Sequence, residues 1–387
     1  MKQWPQRRLG DLTDVLSGFA FDSERFGDSG EMPVVRIRDV VPGRSSTFYR
    51  GAFDPRFIVG NGDVLIGMDG EFNRARWRGG RALLNQRVSR IAPSCADIDD
   101  VYLFYFLPAA LKAIEQVTPF VTVKHLSVKQ IRDIAVPLPP LPEQRRIAEI
   151  LDKADALRAK RRTALAQLDT LTQSIFLDMF GDPATNPKGW PEESRLGDVA
   201  DVVSGVTIGR KLDGKQTRKV AYLAVVNVQD RRLNLDTVKT TEATAEEVER
   251  YRLEQNDLLL TEGGDPDKLG RGTLWDGSIP ECIHQNHVFR VRVHDVRLTP
   301  QFLNWLVGSE RGKRYFLRSA KQTTGIASIN MTQLRAFPLL TPPLALQIEF
   351  GNRMDQVRQI RNGLAAATAE CDSLYASLQH SAFHGEL

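Results

Sequence analysis

Five stretches of the 387-residue chain invite comparison with known chemistry. Gly209-Arg210-Lys211-Leu212-Asp213-Gly214-Lys215-Gln216 has the glycine spacing and lysine of a phosphate-binding loop. Gln216 stands where a hydroxyl would hold magnesium, and no continuous apolar strand leads in, so that reading is rejected. Cys282, His284 and His287 are metal-ligand types, but alternate strand residues need not converge, and the matching segment Asn85 to Arg87 has no ligand. Gly270-Arg271-Gly272-Thr273 lacks the third glycine of a dinucleotide fingerprint. Both Pro-Pro pairs, at Pro139 and Pro342, are followed by Leu141 or Leu344 and preceded by Leu138 or Thr341. The Asp/Asn-Pro-Pro-aromatic loop of an amino-methyltransferase is therefore missing. No nucleophile–base constellation recurs in both halves, so the chain is expected to be no enzyme and to hold no metal.

Arginine chemistry is richer. Between Asn73 and Arg90 lie six arginines (Arg74, Arg76, Arg78, Arg81, Arg87, Arg90) and no acid, and between Arg311 and Arg335 six basic residues and no acid. Net charge is only +4, so the distribution matters more than the total. Guanidinium groups clamp phosphates and pair with guanine edges, and asparagine pairs with adenine. The expected nucleic-acid contacts in the first half are Arg36, Arg38, Asn73, Arg74, Arg76, Arg78, Arg81 and Lys124. In the second half they are Lys211, Lys215, Asn227, Lys268, Arg271, Lys321, Gln322 and Thr323. Asn73 to Arg81 reads as a glycine-containing loop whose counterpart is Gly263 to Gly272.

The elements that position these residues are written twice. Trp4-Pro5…Leu9-Gly10-Asp11…Ser17-Gly18 returns as Trp190-Pro191…Leu196-Gly197-Asp198…Ser204-Gly205. Val34 to Val40, Gly62 to Ile66 and Arg87 to Ile91 read as strands and return at Tyr222 to Val228, Asn256 to Leu260 and His287 to Val291. Val101 to Ile114 reads as a helix, and Ser127 as the N-cap of a short one. Pro139-Pro140-Leu141-Pro142-Glu143-Gln144 opens a long helix to about Phe180, and Pro342-Pro343-Leu344-Ala345-Leu346-Gln347 opens another, 203 residues later.

Along the long helices apolar residues step by 3 and 4. The expected seam and docking residues are Leu157, Leu168, Leu171 and Ile175 on one, with Ile360, Leu364, Leu374 and Leu378 on the other. A chain that leaves a domain on one helix and returns on the other must pair them antiparallel. The expected fold class is α+β, with two similar α/β domains joined by two long helices in an antiparallel coiled coil and a pseudo-twofold internal repeat. The expected boundaries are 1–140, 141–182, 183–341 and 342–387. No apolar run approaches a membrane span, the N-terminus has no signal-peptide core, and three scattered cysteines fit a reducing cytoplasm.

The proline-Glu-Gln-Arg-Arg-Ile-Ala block, the Phe180-Gly181-Asp182-Pro183 helix end, the paired Trp-Pro…Leu-Gly-Asp openings and the Ala382-Phe383-His384-Gly385-Glu386-Leu387 terminus resemble the specificity subunit of type I restriction-modification systems. Leu346 departs from the pattern, standing where the first copy has Glu143. The resemblance implies two target recognition domains, each reading half of a bipartite asymmetric site in double-stranded DNA. It also implies helices that set the spacer and dock two adenine-N6 methyltransferase subunits, with two restriction subunits in the full complex. No cofactor is then expected on this chain, while S-adenosylmethionine, ATP and magnesium belong to the partners. The competing reading is a coiled-coil adaptor that binds proteins and reads no DNA sequence.

Overall fold

The computed structural model describes residues 4–118, 123–212, 214–264, 269–323 and 326–387, with backbone alone at 321–323 and 326. It divides into two units, Met1–Thr163 with Ala365–Leu387, and Ala164–Leu364. Each long helix contributes residues to both units: the first spans Leu141–Phe180 and the second Leu344–His384.

The first unit is built on an antiparallel sheet in the order Thr13–Ser17, Val88–Pro93, Val64–Gly67, Arg74–Arg76. The second unit repeats it as Ala200–Ser204, Val288–Val293, Leu258–Thr261, Gly272–Leu274. A second sheet in each unit contains one parallel pair, Met32–Val35 beside Ala82–Leu84 and Arg218–Leu223 beside Ile283–His284. The recurring Ser-Gly of the sequence has a steric reason. A Cβ at Gly18 would meet the Asn85 carbonyl oxygen at 2.1 Å, and one at Gly205 the His284 carbonyl oxygen at 2.0 Å. Only glycine lets the chain pass there.

One helix then shares a core with each four-stranded sheet: Asp100–Val117 in the first unit, Pro300–Val307 in the second. Their buried faces (Tyr102, Leu103, Phe106 and Phe302, Leu303, Leu306) join cores that also take in the ends of the long helices. The short helices Val128–Arg132 and Met331–Arg335 are held by capping boxes, Ser127 with Gln130 and Asn330 with Gln333.

The proline blocks recur because of the glutamine that ends them. Gln144 is fully buried. Its Oε1 accepts from Asp99 N at 2.8 Å, and its Nε2 donates to Asp97 O and Pro139 O, both at 2.8 Å. Gln347 repeats the triad with Thr299 N at 2.9 Å, Arg297 O at 3.0 Å and Pro342 O at 2.8 Å. One amide ties the helix start to the loop that leads into the helix sharing the sheet's core.

Within the first unit the two long helices run antiparallel: Arg158 Nε donates to Asp372 Oδ1 at 2.6 Å and Arg161 to the Ala367 carbonyl. Within the second, Phe176 and Phe180 pack on Phe350 at 5.5 and 5.3 Å, and Arg361 lies 3.7 Å from Asp169. Leu168, Ile175, Leu364 and Leu378 lie half-buried on the inner faces. Leu157 (47% exposed), Leu171 (45%), Ile360 (59%) and Leu374 (64%) do not form the seam. The inner stripe passes through Arg158, whose guanidinium sits 4.1 Å over the buried Tyr375 ring and against Asp372, so the neighbouring leucine is rotated outward.

Val34 to Val40 is not one strand. The strand Met32–Val35 ends where Asp39 Oδ2 accepts from Arg36 N at 3.0 Å, and Ile37–Val40 is a helical turn. Val225–Asn227 turns in the same way.

Replacing Gln144 or Gln347 with Ala strands three buried backbone groups. Each substitution should cost about 2–4 kcal/mol in denaturant unfolding, against about 0.5 kcal/mol or less for exposed Gln167→Ala. Equal effects at buried and exposed positions would rule out the clamp.

Candidate nucleic-acid interface

The arginine-rich segment is not a free loop. Arg74–Arg76 is a strand paired with Val64–Gly67, and Trp77 after it is buried, with its Nε1 donating to Gly80 O at 2.7 Å. Its counterpart is Gly272–Leu274 followed by buried Trp275, not Gly263 to Gly272 as sequence comparison had it. In both units the tryptophan N donates to an aspartate carbonyl, Asp63 at 2.9 Å and Asp257 at 2.8 Å.

Several expected contacts are engaged inside the protein. The Arg74 guanidinium lies 3.4 Å over the Phe104 ring, and burial pulls its pKa down to about 10. It lines a cavity of about 430 Å³ with Lys112, Glu115, Asp155, Arg158 and Tyr375. Arg76 pairs with Asp100 at 2.7 Å and with Gly62 O at 3.1 Å. Arg36 bonds Thr47 Oγ1, and Lys124 Nζ donates to Glu115 O at 2.7 Å. Asn227 is withdrawn altogether. It is buried, its Oδ1 accepts from Ala224 N at 2.8 Å, and its Nδ2 donates to Asn234 O and Thr237 O at 2.8 and 3.0 Å. Arg271 is half-buried beside the paired strands. Apart from Arg271, each of these side chains bonds or stacks within the fold, and an alternating sequence pattern carries no sign of that.

Arg38, Asn73, Arg78, Arg81, Lys211 and Lys215 are exposed. Lys268, and the side chains of Lys321, Gln322 and Thr323, lie outside the described residues. The structure adds Arg44, which composition alone did not single out. The turn Ile37–Val40 packs on the end of the strand Val64–Gly67: a Cβ at Gly67 would meet Ile37 Cγ1 at 3.0 Å, and one at Gly43 would lie 3.7 Å from Arg78 Cβ. Arg38, Arg44 and Arg78 therefore come from one neighbourhood, a cationic surface on which phosphates can be held.

The remaining chemistry-bearing groups do not assemble. Cys282 is buried, which pushes its thiol up to about 12. His284 is buried, which pulls it down to about 4, and its Nδ1 donates to Val288 O at 2.7 Å. His287 turns instead to Glu262. Among the described residues no three ligand side chains gather as a metal site. Lys215 leads into the strand Arg218–Leu223, not into the helix a phosphate loop needs. Arg210 is tied to Glu247 at 2.6 Å. Among the described residues no helix is long and apolar enough to cross a membrane.

The model of the type I restriction modification DNA specificity domain matches residues 1–168 and again 187–368. The type I restriction enzyme EcoBI specificity subunit of Escherichia coli is 28% identical over 423 residues, covering 99% of this chain and 86% of that one. The StySPI specificity subunit of Salmonella potsdam is 20% identical, covering 99% and 89%. The crystal structure of the type I restriction-modification S subunit from M. genitalium shares the fold at a TM-score of 0.58 and 14% identity, over 98% of this chain and 96% of that chain. With the doubled sheet, the paired long helices and a model match in each half, the chain belongs to the type I restriction-modification DNA specificity family.

Proposed function

We propose that the chain reads a bipartite, asymmetric target in duplex DNA, one half-site per unit, with the long helices fixing the spacer. The observation that carries this is one scaffold built twice, with different exposed side chains on each copy. Such a component recognises DNA and leaves catalysis to its partners. It is not the protein-binding adaptor of the alternative reading, because the family is defined by DNA specificity.

The outward residues of the long helices support docking of two copies of one partner. Leu157 and Ile360 are repeat mates, as are Leu171 and Leu374, each pair 203 residues apart. Leu157 and Leu374 belong to the first unit, Leu171 and Ile360 to the second, so each unit exposes one copy of each position. Exposed leucines at such repeat-related places suit an interface used twice. We assign these places to two methyltransferase subunits, with two restriction subunits joining the full complex in the cytoplasm. S-adenosylmethionine, ATP and magnesium reside on those partners, and this chain holds none of them.

Footprinting of the chain in complex with its methyltransferase partner should show two protected half-sites of unlike sequence separated by an unprotected spacer. One contiguous site, or no protection, sinks the reading. In the same assay Arg78→Ala should weaken binding to all sequences alike and reduce the salt slope by about 1. Arg74→Ala should instead lower the unfolding midpoint and leave that slope unchanged. A slope change with Arg74→Ala would return the residue to the DNA surface.

A further inference from the structure

The internal repeat gives two independent versions of the same surface element, and comparing them separates framework from reader. Residues 34–44 align with residues 222–232 at a constant offset of 188. The inward parts agree. Val35 and Leu223 are buried, and their carbonyls accept from Asn85 N at 3.2 Å and Gln285 N at 2.9 Å. Asp39 and Asn227 close the helical turn with the same side-chain bond, to Arg36 N at 3.0 Å and Ala224 N at 2.8 Å. Val40 and Val228 are buried, and the turn ends on a left-handed residue in both copies, Gly43 at φ 69° and Arg231 at φ 53°.

The outward parts split into two kinds. At the tip of the turn the first unit has exposed Arg38 and the second has Val226, 56% exposed. At the end, both units have an exposed arginine, Arg44 and Arg232. Neither of these two side chains makes a hydrogen bond or ion pair among the described residues. A position that only held the DNA backbone would keep its cation in both copies, as Arg44 and Arg232 do. A position that reads bases would change with the sequence read, as Arg38 and Val226 do.

We infer that the turns at Ile37–Val40 and Val225–Asn227 are the base-reading elements, with Arg38 and Val226 as the specificity-determining residues and Arg44 and Arg232 as phosphate contacts. This rests on the reading of the chain as a DNA-specificity subunit. An arginine donates two parallel hydrogen bonds to O6 and N7 of guanine in the major groove. A valine offers methyls to the C5 methyl of thymine, and Val226 presents its side chain, 56% exposed, at the position that Arg38 holds in the first unit. Arg38 therefore takes a guanine in one half-site, and Val226 a thymine in the other. Both positions point away from the core, so substitution there leaves the framework bonds of Asp39 and Asn227 in place.

The test is selection from a randomised duplex DNA library by the full chain in complex with its methyltransferase partner. Arg38→Ala should lose preference for a G·C pair at one position of one half-site, by on the order of tenfold, with the other half-site unchanged. Val226→Arg should convert one position of the other half-site from T·A to a G·C preference. Arg44→Ala and Arg232→Ala should lower recovery of all sequences alike. The inference is overturned if the wild-type complex selects a bipartite motif and both tip variants select that same motif, or if Arg38→Ala weakens every sequence equally. A wild-type complex that selects no bipartite motif overturns the DNA-specificity reading itself, and this inference with it.

Discussion

Everything in this chain depends on two buried amides. Gln144 and Gln347 each satisfy one backbone N–H and two backbone carbonyls at the place where a long helix begins. A buried polar group left unpaired is expensive, so this arrangement admits no sliding of the helix start relative to its loop. The prolines ahead of each glutamine leave a carbonyl free for it, and the helix axis inherits a direction set by the domain. At the far ends the same rigidity comes from aromatic packing. Phe180 lies 4.7 Å from Phe302, and Phe383 lies 5.3 Å from Tyr102, between centroids. Phe180 and Phe383 are themselves 203 residues apart, so the repeat extends through both ends of both helices.

Arginine does opposite jobs on this scaffold, and burial decides which. Arg74 is stacked on Phe104 and Arg231 lies 4.0 Å over Trp305, so each unit fills the space beside its core helix with a guanidinium on an aromatic face. The two arginines come from different strands or turns of the chain, so this is reuse of a packing solution rather than a copied residue. Arg38, Arg44 and Arg78 are exposed and available to a polyanion. Losing a stacked arginine removes packing, whereas losing an exposed one removes charge.

How much was legible in the sequence follows from what kind of signal each feature leaves. The repeat, the long helices, the antiparallel pairing and the Ser127 cap follow from spacing and residue type, which survive without knowledge of contacts. The helical turn at Ile37–Val40 was hidden because its apolar residues alternate like a strand, and only the Asp39 bond to Arg36 N reveals the reversal. The seam was half legible. Leu168 and Leu378 fit a strict heptad, but Arg158 on Tyr375 took the place that Leu157 would have filled. Arg74 and Asn227 carried nucleic-acid chemistry in their types but are held inside the fold by partners distant in sequence.

The central proposal is that the chain reads two half-sites of one DNA target and that the long helices set the spacer between them. Sequencing methylated DNA from a host that carries the gene, from one that lacks it, and from one with four residues inserted between Thr163 and Ala164 tests it most directly. The account predicts a modified bipartite motif that vanishes on deletion. The insertion, about one helical turn, should keep both half-sites and alter only the spacer between them. A contiguous motif, an unchanged methylome on deletion, or an insertion that changes a half-site and leaves the spacer untouched would contradict it.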